Sequence, residues 1–155
     1  MKKAVKHTRL GIKIREIMTR DVVTIGSQAS VADAAAVMRD RDVGMLPVCD
    51  GGQILGVLTD RDITVRVVAG GHDPRKVKVG QMMTPEVVFS YDHEDVLEAI
   101  EGMEQRQIRR NVVLNRRKQL VGVLSLGDVA VDIGNQTLAG EALQMVSTPE
   151  KAVAV

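Results

Sequence analysis

The chain is 155 residues long, 45% apolar and 26% charged, with 21 lysines and arginines against 20 aspartates and glutamates and a formal net charge of +1. A globule of this length buries roughly 70% of the surface its unfolded chain exposes, so it needs no metal or disulfide to hold it, and so even a charge gives no general signal for nucleic acid or membrane. With one phenylalanine, one tyrosine and no tryptophan there is little stacking surface for single-stranded nucleic acid, no apolar run approaches the roughly 18 residues of a membrane span, and the single cysteine, Cys49, fits a reducing, cytoplasmic setting better than secretion.

Residues 1–11 form a basic N-terminal extension with no apolar stretch of the signal-peptide kind behind it. IKIREIMTRDVV, residues 12–23, opens the first copy of a repeat, residues 12–73. Ser30, three places before Asp33, then predicts a capped helix with Val31, Ala34, Ala35 and Met38 on one face. Two strand-like runs follow, GMLPV and ILGVL, joined by the turn-formers Asp50, Gly51 and Gly52. Thr59 and Asp62 open a second helix, which carries Ile63 and Val67 inward and stops at Gly70 and Gly71.

The connection GGHDPRK, residues 70–76, leads into the second copy, residues 74–136. VKVGQMMTPEVV lies over the first opening at a shift of 65, so that Met18, Thr19, Val22 and Val23 meet Met83, Thr84, Val87 and Val88. Asp95 with Glu98 again predicts a helix in capping-box fashion, here with Val96, Ala99, Ile100 and Met103 inward. NVVL and LVGVL are its strands, GVLSLGD repeats GVLTDRD at a shift of 66, and Val129 and Ile133 lead to a stop at Gly134. A C-terminal helical tail, residues 137–155, contains the amphipathic GEALQMV. Each copy thus reads β-α-β-β-α, a mixed α/β (α+β) class. Copies of about 60 residues are too small to hide a sheet face and two helices alone, which predicts packing about a pseudo-twofold axis and a cleft between copies as the natural binding site.

The repeated hydroxyl-x-x-aspartate, Thr59 with Asp62 and Ser125 with Asp128, supports two compatible readings. As structure, it is a reciprocal helix cap worth roughly 1 kcal/mol. As function, a carboxylate at a helix start just beyond a strand can accept both hydroxyls of a ribose, while neighbouring N–H groups favour phosphate. His7, His72 and His93 are scattered, and no P-loop, HExxH or GxSxG spacing occurs, so neither a catalytic nor a metal constellation is predicted.

Taken in order, IMTRDVVTI, MLPVCD, GVLTDRDI, QIRRNVV and GVLSLGDV resemble a pair of CBS motifs, named after cystathionine β-synthase, over nearly the whole chain. No catalytic domain accompanies them, so the chain is similar to stand-alone CBS-pair proteins. The resemblance implies a non-enzymatic regulatory module with no required cofactor. It would bind an adenosine-containing ligand, AMP, ADP or ATP ahead of NAD(H) or S-adenosylmethionine, assemble as a disc-like homodimer, and signal to a protein partner. The alternative is a ligand-independent dimerisation or interaction scaffold.

In this family the hydroxyl-x-x-aspartate is the ribose signature, and the resemblance places each signature opposite strands of the other copy. Site A would combine Val57, Thr59 and Asp62 with Val87, Val88, Arg109, Arg110, Asn111 and Val112. Site B would combine Val123, Ser125 and Asp128 with Val22, Val23, Gly44, Met45, Leu46 and Pro47. Apolar strand residues would sandwich the purine in both. Arg61, Arg109 and Arg110 suit phosphate oxygens, whereas site B offers Gly127, Gly44 and Met45 at the matching positions. Asn111, where the first copy has Leu46, would either add a hydrogen bond to the ligand or mark an exposed edge.

Overall fold

The computed structural model describes residues 9–148. Most of the N-terminal extension, His7 included, and residues 149–155 of the tail lie outside the described residues. In chain order the elements are α1 (Ile14–Ile17), α2 (Val31–Arg41), β1 (Met45–Asp50), β2 (Gln53–Thr59), α3 (Asp60–Asp62) running into a π-helical stretch (Ile63–Val68), α4 (Val79–Met82), β3 (Phe89–Tyr91), α5 (Val96–Arg106), β4 (Arg110–Leu114), β5 (Leu120–Ser125), α6 (Leu126–Asp132) and α7 (Gln136–Ser147). The mixed α+β class and the β-α-β-β-α order of the second copy are as the sequence predicts.

The chain divides into two compact units whose borders cross the repeat. One joins residues 9–20 to residues 89–148, and the other is residues 21–88. The opening segment of the first copy therefore belongs to the body of the second, and the opening of the second to the body of the first.

In the unit of residues 21–88, the Ser30 hydroxyl accepts the Asp33 N–H at 3.0 Å to start α2, which ends with Asp42 in the left-handed region (φ 52°). β1 and β2 form an antiparallel hairpin turned by Gly51 and Gly52, both at positive φ, a conformation that costs glycine nothing. Its core is Ala34, Met38, Leu46, Val48, Leu58 and Val79, packed by α2 and α4 against the hairpin.

The strand expected around Val22 and Val23 does not form. Only Ile25 bridges in parallel to Val48, its N–H donating to Pro47 O at 3.1 Å. The matching Val87 and Val88 of the second copy also lie outside any strand, and only beyond them does the chain form β3, parallel to β4, with Phe89 opposite Val112. The copies differ one place further on, where Thr24 stands for Phe89: Pro47 has no N–H for that pairing, whereas Val112, at the same place in the repeat, has one to give.

The second helix of this copy also departs from expectation. After one α-turn it widens to i→i+5 bonds, Ala69 N–H to Thr64 O and His72 N–H to Val67 O, both at 3.0 Å. The run Ile63, Thr64, Val65, Val67, Val68 is β-branched throughout, which crowds an α-helical turn. Gly71, at φ +70°, supplies the left-handed exit that the sequence assigns to Gly70 and Gly71 together.

The other unit repeats the plan with a larger core: Ile14 and Met18 from the opening segment, Val96, Leu97, Ala99, Ile100 and Met103 of α5, Val113, Leu124, Leu126 and Val129. Asp95 is 2% exposed and caps α5 one place earlier than expected, accepting the Leu97 N–H at 3.1 Å rather than forming the box with Glu98, while its other oxygen takes the Gly11 N–H at 2.9 Å. Helix α7 buries Leu138, Ala142 and Val146 in this same core, so the amphipathic tail packs on the body.

Candidate functional site

Each hydroxyl-x-x-aspartate sits where a strand passes into a helix, and each closes as a reciprocal cap. Thr59, at the end of β2, accepts the Asp62 N–H at Oγ1 (3.1 Å) while Asp62 Oδ2 accepts the Thr59 N–H (2.9 Å). Ser125, at the end of β5, makes the same pair with Asp128 at 3.0 and 2.8 Å, and its hydroxyl donates to Asp128 Oδ2 as well. The structural reading of the motif thus holds in both copies.

The caps use one carboxylate oxygen and leave the other. Asp128 is half-buried, and its Oδ1 has no hydrogen bond to any described residue. Asp62 Oδ1 instead faces the guanidinium of Arg66, with Nη2 at 3.6 Å, one helical turn further on. A half-buried carboxylate oxygen beside a helix start is suited to accept a hydroxyl from outside the protein.

The glycine that opens each motif is held by close approach. A Cβ on Gly56 would lie 2.6 Å from Thr84 O, and one on Gly122 would lie 2.5 Å from Met18 Sδ and 3.0 Å from Thr19 O. Val57 and Thr84 exchange both backbone hydrogen bonds, at 3.0 and 2.8 Å, and Val123 and Thr19 do the same at 3.0 and 2.9 Å. The Met-Thr dipeptide that begins each copy is therefore clamped onto the Gly-Val that precedes the other copy's aspartate. The sequence contained this signal, because Met18/Met83, Thr19/Thr84 and Gly56/Gly122 all coincide under the repeat, but nothing in it said that the two motifs touch.

The residues assigned to the two sites are interleaved. The unit of residues 21–88 carries Val57, Thr59, Asp62, Val87 and Val88 of site A, and also Val22, Val23, Met45, Leu46 and Pro47 of site B. On its hairpin, Met45 lies opposite Thr59 and Pro47 opposite Val57. The other unit carries Arg109, Arg110 and Val112 of site A with Val123, Ser125 and Asp128 of site B, Arg110 opposite Ser125 and Val112 opposite Val123. Val22, Val23, Met45, Val57, Val87, Val88 and Val123 are half-buried, whereas Leu46, Pro47 and Val112 are buried.

The three arginines have different surroundings. Arg61 and Arg110 are exposed, and neither guanidinium bonds a described residue. Arg109 Nη2 donates to Ser147 Oγ at 3.1 Å, next to a bond from Gln107 Nε2 to Thr148 O at 2.7 Å, so this side chain is engaged by the end of α7.

Asn111 is not an exposed edge. It is 2% exposed, and its Nδ2 donates to Ser90 Oγ at 2.7 Å while its Oδ1 is buried without a partner. Under the repeat Asn111 stands for Leu46 and Ser90 for Ile25, so a polar pair replaces an apolar contact inside the sheet.

Among the described residues no three His, Cys, Asp or Glu side chains gather as a metal site, and no helix is long and apolar enough to cross a membrane. The profile of the CBS domain matches residues 14–69 and again residues 79–134. The chain is 35% identical over 134 residues to the CBS domain-containing protein YhcV of Bacillus subtilis, covering 86% of this chain and 94% of that one. It is 33% identical over 117 residues to Hypoxic response protein 1 of Mycobacterium tuberculosis, covering 75% and 81%. The crystal structure of Hypoxic Response Protein I with two coordinated zinc ions superposes with a TM-score of 0.70 at 32% identity, covering 77% of this chain and 97% of that one. That of CBSX2 in complex with AMP gives 0.68 at 25% identity, covering 82% and 98%.

Proposed function

This chain belongs to the CBS-domain family, with two copies in tandem, and from that premise we propose that it is a non-enzymatic sensor for an adenosine-containing ligand. AMP, ADP and ATP are the first candidates, ahead of NAD(H) and S-adenosylmethionine. The observation that carries this reading is the half-buried Asp128 carboxylate, whose Oδ2 closes the cap while Oδ1 is left to accept. Support comes from CBSX2, a similar protein crystallised with AMP.

In this reading Asp62 and Asp128 hold ribose hydroxyls, the half-buried valines flank the base, and Arg61 and Arg110 face phosphate. Arg109 contributes on release from Ser147. No cofactor is needed, because the ligand itself is the signal: it binds one of two states more tightly and a protein partner reads the shift. Val65 and Val131, at matching places in the repeat, are 54% and 80% exposed and fit a homodimer surface. The setting is cytoplasmic, with neither nucleic acid nor membrane as partner.

Calorimetric titration of the native protein with AMP, ADP, ATP and 2′-deoxy-AMP tests this, alongside Asp62→Asn and Asp128→Asn. Saturable binding is expected, weakened about tenfold by loss of the 2′-hydroxyl or of a carboxylate charge, as for a hydrogen bond to a charged group. If nothing binds at millimolar concentration, or both variants bind as the native protein does, the scaffold reading replaces this one.

A further inference from the structure

The two aspartates, alike in their caps, differ in what stands one turn further along the helix. Arg66 follows Asp62 by four residues, and Asp132 follows Asp128 by four. Residues so spaced share a helix face, so the first carboxylate has a cation beside it and the second an anion. Arg66 is also fixed in place: Nη1 donates to Met82 O at 2.8 Å and Met83 O at 3.2 Å, and Nη2 to Thr84 Oγ1 at 3.3 Å. Those carbonyls end α4, where a helix leaves acceptors without partners. Among the described residues nothing comparable holds Asp132, which is exposed at the end of α6.

We propose that Arg66 is a specificity-determining residue: it neutralises Asp62 and makes that site the one for a phosphorylated nucleotide, whereas Asp132 turns the Asp128 site towards an adenosyl ligand without phosphate charge. The inference rests on the ribose role of the two aspartates given above. A carboxylate that must hold a ribose sits within a few ångströms of any 5′-phosphate, and the two anions repel unless a cation stands between them. Arg66, held by three oxygens of the α4 exit, supplies that cation in a fixed position, with Arg61 beside it. Asp132 at the matching place doubles the negative charge instead.

The test compares AMP with adenosine by calorimetry. In the native protein the Asp62 site should prefer AMP, and Arg66→Gln should cut the ratio of AMP to adenosine affinity about fivefold, the upper range for a partly exposed ion pair. Arg66→Lys, which keeps the charge, should restore most of the ratio, and raised salt should shrink the native ratio towards that of Arg66→Gln. With the first site disabled by Asp62→Asn, adding Asp132→Arg should raise the ratio at the Asp128 site by a similar factor. A merely structural arginine would weaken both ligands together and leave the ratio and its salt dependence unmoved. That outcome overturns the proposal while the ribose assignment stands. If the native protein binds neither AMP nor adenosine, the ribose assignment falls and this proposal with it.

Discussion

Asn111 and Ser90 show what one substitution pair inside a repeat costs. Leu46 and Ile25 bury apolar surface where Asn111 and Ser90 bury a single hydrogen bond of 2.7 Å and an orphaned carbonyl oxygen. An unsatisfied buried acceptor costs about 1–3 kcal/mol, whereas replacing both members of a buried polar pair by apolar groups of similar shape is neutral or stabilising. Asn111→Leu alone strands the Ser90 hydroxyl, and Ser90→Val alone strands the Asn111 amide. Each single variant should therefore lower stability by about 1 kcal/mol or more, and Ser90→Val with Asn111→Leu should at least recover it. Urea unfolding of the four proteins measures this. A double variant as weak as the sum of the singles would mean that the pair does not act as a unit.

At the level of elements, what the sequence made legible was whatever a local spacing determines. The caps at Ser30, Thr59 and Ser125, the inward faces of α2 and α5, and the glycine exits at Gly71 and Gly134 all follow from residues within a turn of one another. What escaped depended on contacts between distant segments. The expected pairing of Val22 and Val23 did not form, the pairing at Thr24 that the second copy makes at Phe89 was lost for want of an N–H on Pro47, the second helix of the first copy widened under β-branched crowding, and Arg66 found its partners on α4. Asp50 is a further such contact. At the end of β1, its carboxylate accepts both the N–H and the hydroxyl of Ser27 in the turn before α2, and the hydroxyl bond foremost holds its pKa below the usual carboxylate value. A lowered folded-state pKa means stabilisation that is full above the ordinary carboxylate range near 4 and lost as pH falls through the folded value. Asp50→Asn should consequently melt below the native protein at neutral pH, with the gap closing in acid below that range. Thermal melts across the pH series check the sign, and a gap that widens in acid would rule out the linkage.

For the whole molecule, the consequence of the crossed openings is that damage in one copy is felt by the other. Met18 belongs to the first copy but is 7% exposed within the core built from α5, β4, β5 and α6 of the second. Met83 belongs to the second copy and packs against the core of the first. Truncating a buried methionine costs about 2–5 kcal/mol in lost transfer energy and cavity, and that cost appears first where the segment is clamped. Met18→Ala should therefore accelerate amide exchange at Val123, whose N–H donates to Thr19 O at 3.0 Å, and at Val96, whose N–H donates to Ile12 O at 3.0 Å. Met83→Ala should accelerate exchange at Val57, whose N–H donates to Thr84 O at 3.0 Å. Native-state hydrogen exchange resolved by residue reads both. Were Met18→Ala instead to loosen Val57 while Val123 stayed protected, each copy would be holding its own opening segment. The Met-Thr on Gly-Val clamp, and the link it makes between one copy's start and the other copy's hydroxyl-x-x-aspartate, would then be wrong.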